Sequence, residues 1–264
     1  MLSDRLGQLI QQAWDAHSEV AQFQCLVGQS IPILYFGDAD AYSSSKIKIV
    51  TVGLNPSNVE FPVKGDDTMS RFTKAAHLVE TGFTGTSDDV QAHVSALNQY
   101  FQAEPYTKWF NGAYRAILNG LSASFYGDTH NTALHTDICS PAATLPTWSK
   151  LAGKLKTEDR RKIERTGLDL WQELMETLEP DVALISVKWE YVGNIEFDSP
   201  TPWERIRTVQ RQNPYHVLAS RRKFRSGKSC LFVFGRAAQL PFGTLSGEQR
   251  KWVGQQIAEE VFGG

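Results

Sequence analysis

Three groups of residues in this chain carry side chains whose types and spacing suit them to chemistry. In the first, the apolar run Ile47-Lys48-Ile49-Val50-Thr51-Val52 ends in Gly53-Leu54-Asn55-Pro56-Ser57. Pro56 holds Asn55 extended and blocks a direct run into helix, so a polar amide is delivered at the end of a strand. Gly53 allows a close backbone approach or a turn with positive φ. The Asn55 amide is neutral; it can hold a water or a polar edge but cannot act as a strong base. In the second group, His135 and Asp137 stand two apart on a predicted strand, which turns both side chains to one face. A neutral imidazole donates one hydrogen bond and accepts another, and the carboxylate can orient it; an ion pair at the end of the sheet is the structural alternative. The third is a run of cations, Arg205, Arg207, Arg211, Arg221, Arg222, Lys223, Arg225 and Lys228, with no acid between Arg205 and Lys228. Such a run either contacts phosphates or solvates a loop and a strand face.

The elements that must position these residues alternate in type. Spacing predicts an N-terminal helix to about residue 23, with Leu6, Ile10, Ala13 and Trp14 on one side. Ile31-Pro-Ile-Leu-Tyr-Phe36 reads as an edge strand, where proline is tolerated. A long irregular stretch follows Ser57 and runs to about residue 88, a length usually reserved for function or motion. Ser87-Asp88-Asp89 reads as the N-cap of a helix carrying Val90, Val94, Leu97 and Phe101. A second helix follows from about Thr107, and a strand spans Thr132 to Ile138. Lys150 to Arg165 reads as a charged surface helix, and Leu168, Trp171, Leu174, Met175 and Leu178 as an apolar helical face before a strand over Val182 to Val187. Leu231 to Phe234 is a further strand, and Ser246-Gly-Glu-Gln249 fits a capping box opening the last helix. Strands alternating with helices predict an α/β fold: a single three-layer domain over residues 1–264, with a mostly parallel central sheet and helices on both faces.

Composition removes several classes of function. The chain has 264 residues, 41 % of them apolar, and a net charge of −2, so it is no polycation. It holds no apolar run long enough to span a bilayer, and its start mixes charges of both signs, unlike a secretory signal. Cys25, Cys139 and Cys230 lie far apart, which disfavours a disulfide framework, a zinc cluster or an iron–sulfur centre and points to the cytoplasm. Gly-x-Gly-x-x-Gly, Gly-x-x-x-x-Gly-Lys-Ser/Thr and Gly-x-Ser-x-Gly are all missing. No metal and no cofactor is expected.

The segment around Asn55 resembles the first active-site motif of the uracil-DNA glycosylase superfamily, in the Gly-(Leu/Ile)-Asn-Pro form of its mismatch-specific branch. Three further stretches fall in that family's order: Thr132 to Pro141 with Leu145-Pro146-Thr147, Pro180 to Val187, and Leu231 to Pro241. The usual His-Pro-Ser of the last loop is absent. The resemblance implies that Asn55 holds a water against the C1′ carbon of a nucleotide while the sugar–base bond breaks. Gly53 and Leu54 would border the base. His135 would stand where the family reads the edge of a flipped pyrimidine, and Asp137 would orient it or supply the carboxylate that Asn55 lacks. Phe61 would stack on the extruded base, a contact worth roughly 1–3 kcal/mol; a core role is its alternative, and Phe72 is a competitor. Arg236 and Gln239 would enter the minor groove, Ser57 or Asn58 would hold a phosphate or deoxyribose, and Arg221, Arg222, Lys223 and Arg225 would bind the DNA backbone.

The expectation is therefore a monomeric, monofunctional DNA glycosylase that flips out a pyrimidine nucleotide and hydrolyses its N-glycosidic bond. No lysine sits where a Schiff base would form. The departures from the family pattern point to a damaged or modified pyrimidine, for example a glucosylated hydroxymethylcytosine met in phage defence. Uracil or mismatch repair is one alternative. A catalytically silent nucleic-acid-binding module is another, and hydrolysis of free nucleosides a third.

Overall fold

The structure, a computed structural model, describes residues 2–61, 69, 71–103, 105–145, 147–151, 153–238 and 240–262. The chain opens with helices α1 (Leu2–Ala21) and α2 (Ala39–Ser44) and enters β1 (Ile49–Gly53). Helices α3 (Ala76–Thr81), α4 (Ser87–Asn98), α5 (Thr107–Trp109) and α6 (Arg115–Gly120) follow, a π-helical turn over Phe110–Tyr114 joining the last two. Strands β2 (Ala123–Ser124) and β3 (Asn131–Asp137) lead to α7 (Trp148–Leu151) and α8 (Thr157–Leu178). Then come β4 (Val182–Ile185), α9 (Trp189–Val192), β5 (Glu204–Val209), β6 (Tyr215–Lys223), β7 (Ser229–Gly235) and α10 (Gly247–Phe262).

The strands form one sheet in the order β2-β3-β1-β4-β7-β6-β5. Pairing is parallel in β2–β3, β1–β4 and β4–β7, with Val52 opposite Ile185 and Ile185 opposite Phe234. It is antiparallel in β7–β6 and β6–β5. Every residue of β1 and β4 is buried, as expected of apolar strands covered on both faces. This is the α/β architecture that the alternation of elements predicts. Because β1 lies between β3 and β4, connections leave it in one direction and return across it, which is the topological switch of doubly wound sheets.

The chain divides into two compact units, each assembled from three stretches. One comprises Met1–Asp38, Leu54–Pro105 and Thr136–Leu178; the other comprises Ala39–Gly53, Tyr106–His135 and Glu179–Gly264 and holds the sheet apart from the last two residues of β3. In the first unit α8 packs along α1 and approaches the segment after β3 very closely. A β-carbon on Gly167 would lie 1.9 Å from the Cys139 carbonyl oxygen, so only glycine fits there. Trp171 Nε1 of the same helix donates to Thr136 Oγ1 at 3.0 Å. Together they fix the end of β3.

Several elements differ from the sequence expectation. Ile31 to Phe36 is buried but not a strand; Ile33 N–H donates to the Pro141 carbonyl at 2.7 Å, and the apolar side chains fill the core of the first unit. The expected surface helix over Lys150 to Arg165 is split: Lys150 belongs to α7, and only from Thr157 does the charged stretch run on into the apolar face as one continuous helix, α8. Thr86, not Ser87, caps α4, its side chain accepting from Asp89 N–H. The capping box of α10 forms as read: Ser246 N–H donates to Gln249 Oε1 at 3.0 Å and Gln249 N–H to Ser246 Oγ at 3.2 Å. Among the described residues no helix is long and apolar enough to cross a membrane.

Candidate active site

Asn55 lies two residues beyond β1, in the first unit. The segments that follow β1 and β3 meet there, Cys139 N–H donating to the Leu54 carbonyl at 2.9 Å and Ser57 bridging to Thr144. Asn55 Nδ2 donates to the Pro56 carbonyl at 2.8 Å and to Thr144 Oγ1 at 3.2 Å. A carbonyl can only accept, so these contacts fix which end of the amide is nitrogen. Oδ1 makes no hydrogen bond among the described residues and is presented as an acceptor. Gly53 stays within extended β1 and is not among the glycines with positive φ.

After Pro56 the chain makes a 3₁₀ turn, Asn58–Glu60, capped by Ser57, whose Oγ accepts from Val59 N–H at 3.0 Å. Asn58 contributes its carbonyl to the same turn, accepting from Phe61 N–H at 3.3 Å. The turn drives Glu60 inward, leaving it 5 % exposed. Tyr100 donates its hydroxyl to Glu60 Oε2 at 2.5 Å, and Arg71 donates to the neighbouring Val59 carbonyl. Burial pushes the Glu60 carboxyl up to about 7; the Tyr100 hydrogen bond and the Arg71 charge act downward, and the Asp137 charge adds a further rise. Around it runs an aromatic cluster: Phe72 stacks on Tyr100 at 5.5 Å, Phe61 lies tilted to Phe72 at 5.3 Å, and Phe36 meets Tyr100 edge-on at 4.8 Å. Phe61 is 6 % exposed and occupies the core position rather than a stacking face.

His135 belongs to the second unit and is 2 % exposed. Its Nδ1 lies 2.7 Å from Thr51 Oγ1, and its ring packs edge-on to Phe110 at 5.2 Å and tilted to Tyr114 at 5.5 Å. Tyr114 in turn donates to the Val52 carbonyl at 3.1 Å. The imidazole is thus tied into the wall of the sheet. Asp137, half-buried, closes β3 and falls in the first unit with Asn55 and Glu60.

Also in the second unit, the loop after β7 is tightly built. The Arg236 carbonyl accepts from Tyr215 Oη at 2.7 Å and from Gly243 N–H at 3.1 Å, while Ala238 and Leu240 exchange two backbone bonds. Ser186 Oγ donates to the Gly235 carbonyl at 2.8 Å and accepts from Phe242 N–H at 2.7 Å. Phe242 is held at φ 48°, a costly conformation for a bulky residue, with its ring over Gly235. The Arg236 side chain is exposed; Gln239 lies outside the described residues.

The cationic run splits in two. Arg207 pairs with Glu260 at 4.0 Å, Lys228 with Asp181 at 2.8 Å, and Arg211 donates to Thr244 at 2.7 Å. Arg222 is 6 % exposed, donates to the Ile195 carbonyl at 2.9 Å and lies 5.6 Å from the Trp203 and Phe232 ring centres. It is a core residue. Arg205, Arg221, Lys223 and Arg225 are exposed; Arg221 also donates to the Glu260 carbonyl at 3.2 Å.

The three cysteines are buried thiols, and among the described residues no three His, Cys, Asp or Glu side chains come together as a metal site. The chain matches no protein-family model, no curated protein and no solved structure. Sequence reasoning missed Glu60, Tyr100, Arg71 and Thr144. One signal was present: Glu60 stands between Val59 and Phe61, and it is the sole acid between Asp40 and Asp66. An acid alone in such a run is a candidate for burial.

Proposed function

We propose that this chain is a DNA glycosylase that hydrolyses the N-glycosidic bond of an extruded pyrimidine nucleotide. The observation that carries the reading is the Asn55 amide at the carboxyl end of a switch-point strand, anchored through Nδ2 with Oδ1 left to accept a hydrogen bond from a water. Water adds to C1′, the bond to the base breaks, and the electron pair leaves with the base. Asp137 supplies negative charge that favours an oxocarbenium-like sugar, the type of electrostatic assistance that commonly dominates catalysis. The exposed Arg205, Arg221, Lys223 and Arg225 and the exposed Arg236 suit a DNA backbone and its minor groove. The protein acts as a monomer in a reducing compartment, where its three buried thiols persist. The altered pocket residues favour a modified pyrimidine over plain uracil, with phage DNA as the setting.

The test is abasic-site formation on oligonucleotides carrying uracil, a thymine mismatch, or methylated, hydroxymethylated or glucosylated cytosine. One substrate should be cleaved at the glycosidic bond, and Asn55→Ala should lower the rate about 100-fold or more, a far larger loss than the about 1 kcal/mol of stability its hydrogen bonds contribute. Silence across the panel together with salt-dependent DNA binding would assign the chain to nucleic-acid binding instead.

A further inference from the structure

Asn55 can hold a water but cannot keep its proton, and hydrolysis needs an acceptor. We propose that Glu60 is that acceptor, the general base of the reaction, with Tyr100 and Arg71 as its positioning residues. The inference rests on the glycosylase reading. It stands first on geometry within one compact unit. The turn carrying Glu60 starts three residues after Asn55, and its cap Ser57 bridges to Thr144, the residue that also anchors Asn55. Asp137 acts on the same carboxyl, and it ends the strand whose continuation binds the Leu54 carbonyl. Tyr100 occupies Oε2, and among the described residues Oε1 makes no hydrogen bond, so Oε1 is the oxygen assigned to take the proton. The groups acting on the carboxyl are Tyr100, Arg71 and Asp137. Their balance with burial places its titration near neutrality, where a general base is most effective.

The step balances without a further reactant. A water O–H bond breaks and its proton passes to Glu60 Oε1; the oxygen bonds to C1′ as the bond from C1′ to the base nitrogen breaks. Glu60 then returns the proton to the departed base or to solvent, so one water is consumed and one abasic sugar and one base result.

The test is the single-turnover rate of abasic-site formation on the cleaved oligonucleotide, followed from about pH 5 to about pH 9. The wild-type rate should rise with a midpoint near 7, and Glu60→Gln should fall at least about 100-fold and lose the pH dependence. Tyr100→Phe and Arg71→Gln each remove a group that favours the carboxylate, so both should move the midpoint up; Asp137→Asn should move it down. A purely structural Glu60 would leave those midpoints in place, and the shifts are readable even if Glu60→Gln folds poorly. A flat wild-type profile, or full activity in Glu60→Gln while Asn55→Ala is dead, overturns the base and leaves the glycosylase standing. Absence of abasic sites on every substrate overturns both.

Discussion

Burying a carboxyl destabilises its charged form, and Glu60 makes that cost measurable. Its folded-state pKa is raised from 4.5 to about 7, so the folded chain holds the proton more tightly than the unfolded chain does. The stability this contributes is complete below pH 4.5 and is lost as pH rises through 7. At about 1.4 kcal/mol per pKa unit, the loss comes to about 3 kcal/mol. His17 and His93 titrate in the opposite sense, since burial lowers them to about 4 and about 3, but they are common to wild type and Glu60→Gln. The unfolding free energy of wild type relative to Glu60→Gln should therefore drop by about 3 kcal/mol between acid and mildly alkaline pH in urea melts. A difference that does not move with pH would show that Glu60 is not buried as an acid. The same residue marks how far single positions were legible. Asn55 could be placed because Gly, Asn and Pro act locally on the backbone. Glu60 could not, because its burial depends on Tyr100, 40 residues away. His135 and Asp137 share strand parity, yet the imidazole is tied to Thr51, a partner 84 residues earlier.

Elements were legible where one physical cause sufficed. The apolar runs of β1, β4 and β7 announced buried strands, and the α10 capping box was written in four residues. The hairpin of β5 and β6 was not, because arginine and polar residues along its exposed side dilute the strand signal. Ile31 to Phe36 has the composition of a strand but spends its backbone on the Pro141 segment, a choice made by tertiary packing. Gly167 shows how an element positions the site. In mid-helix it forfeits about 1 kcal/mol relative to alanine, which the close approach of α8 to Cys139 explains. Gly167→Ala would drive its β-carbon against a main-chain oxygen, so overlap should outweigh propensity and destabilise the chain by about 1–3 kcal/mol. Because the displaced backbone follows Asp137, the proposed glycosylase activity should fall as well. Gly112, whose added β-carbon would meet nothing within 4 Å, is the control: Gly112→Ala should be neutral or stabilising in the same thermal melts. Equal losses in both variants would detach α8 from any role in holding the end of β3.

For the whole molecule, a net charge of −2 gives no general attraction to nucleic acid, so any affinity for DNA must come from local fields. The cationic run was visible in the sequence, but its division was not, because it depends on which face of β6 each side chain takes. Arg221 and Lys223 alternate with Arg222, so the first two point outward and the third into the core. Counterion release turns that division into opposite expectations. Each phosphate neutralised contributes about −0.9 to the slope of log affinity against log salt. Lys223→Ala and Arg221→Ala should each weaken binding to any DNA sequence and reduce the slope by about one phosphate's share. Arg222→Ala should leave the slope alone and lower stability by about 1–3 kcal/mol, since it removes a buried bond to Ile195 and contacts with Trp203 and Phe232. Salt titrations of a labelled duplex, paired with thermal melts, separate the two outcomes. If Arg222→Ala changed the slope while Lys223→Ala and Arg221→Ala did not, the exposed side of the hairpin would not face DNA. The phosphate contacts proposed for this chain would then have to be sought around Arg236, whose carbonyl accepts from Tyr215 and Gly243.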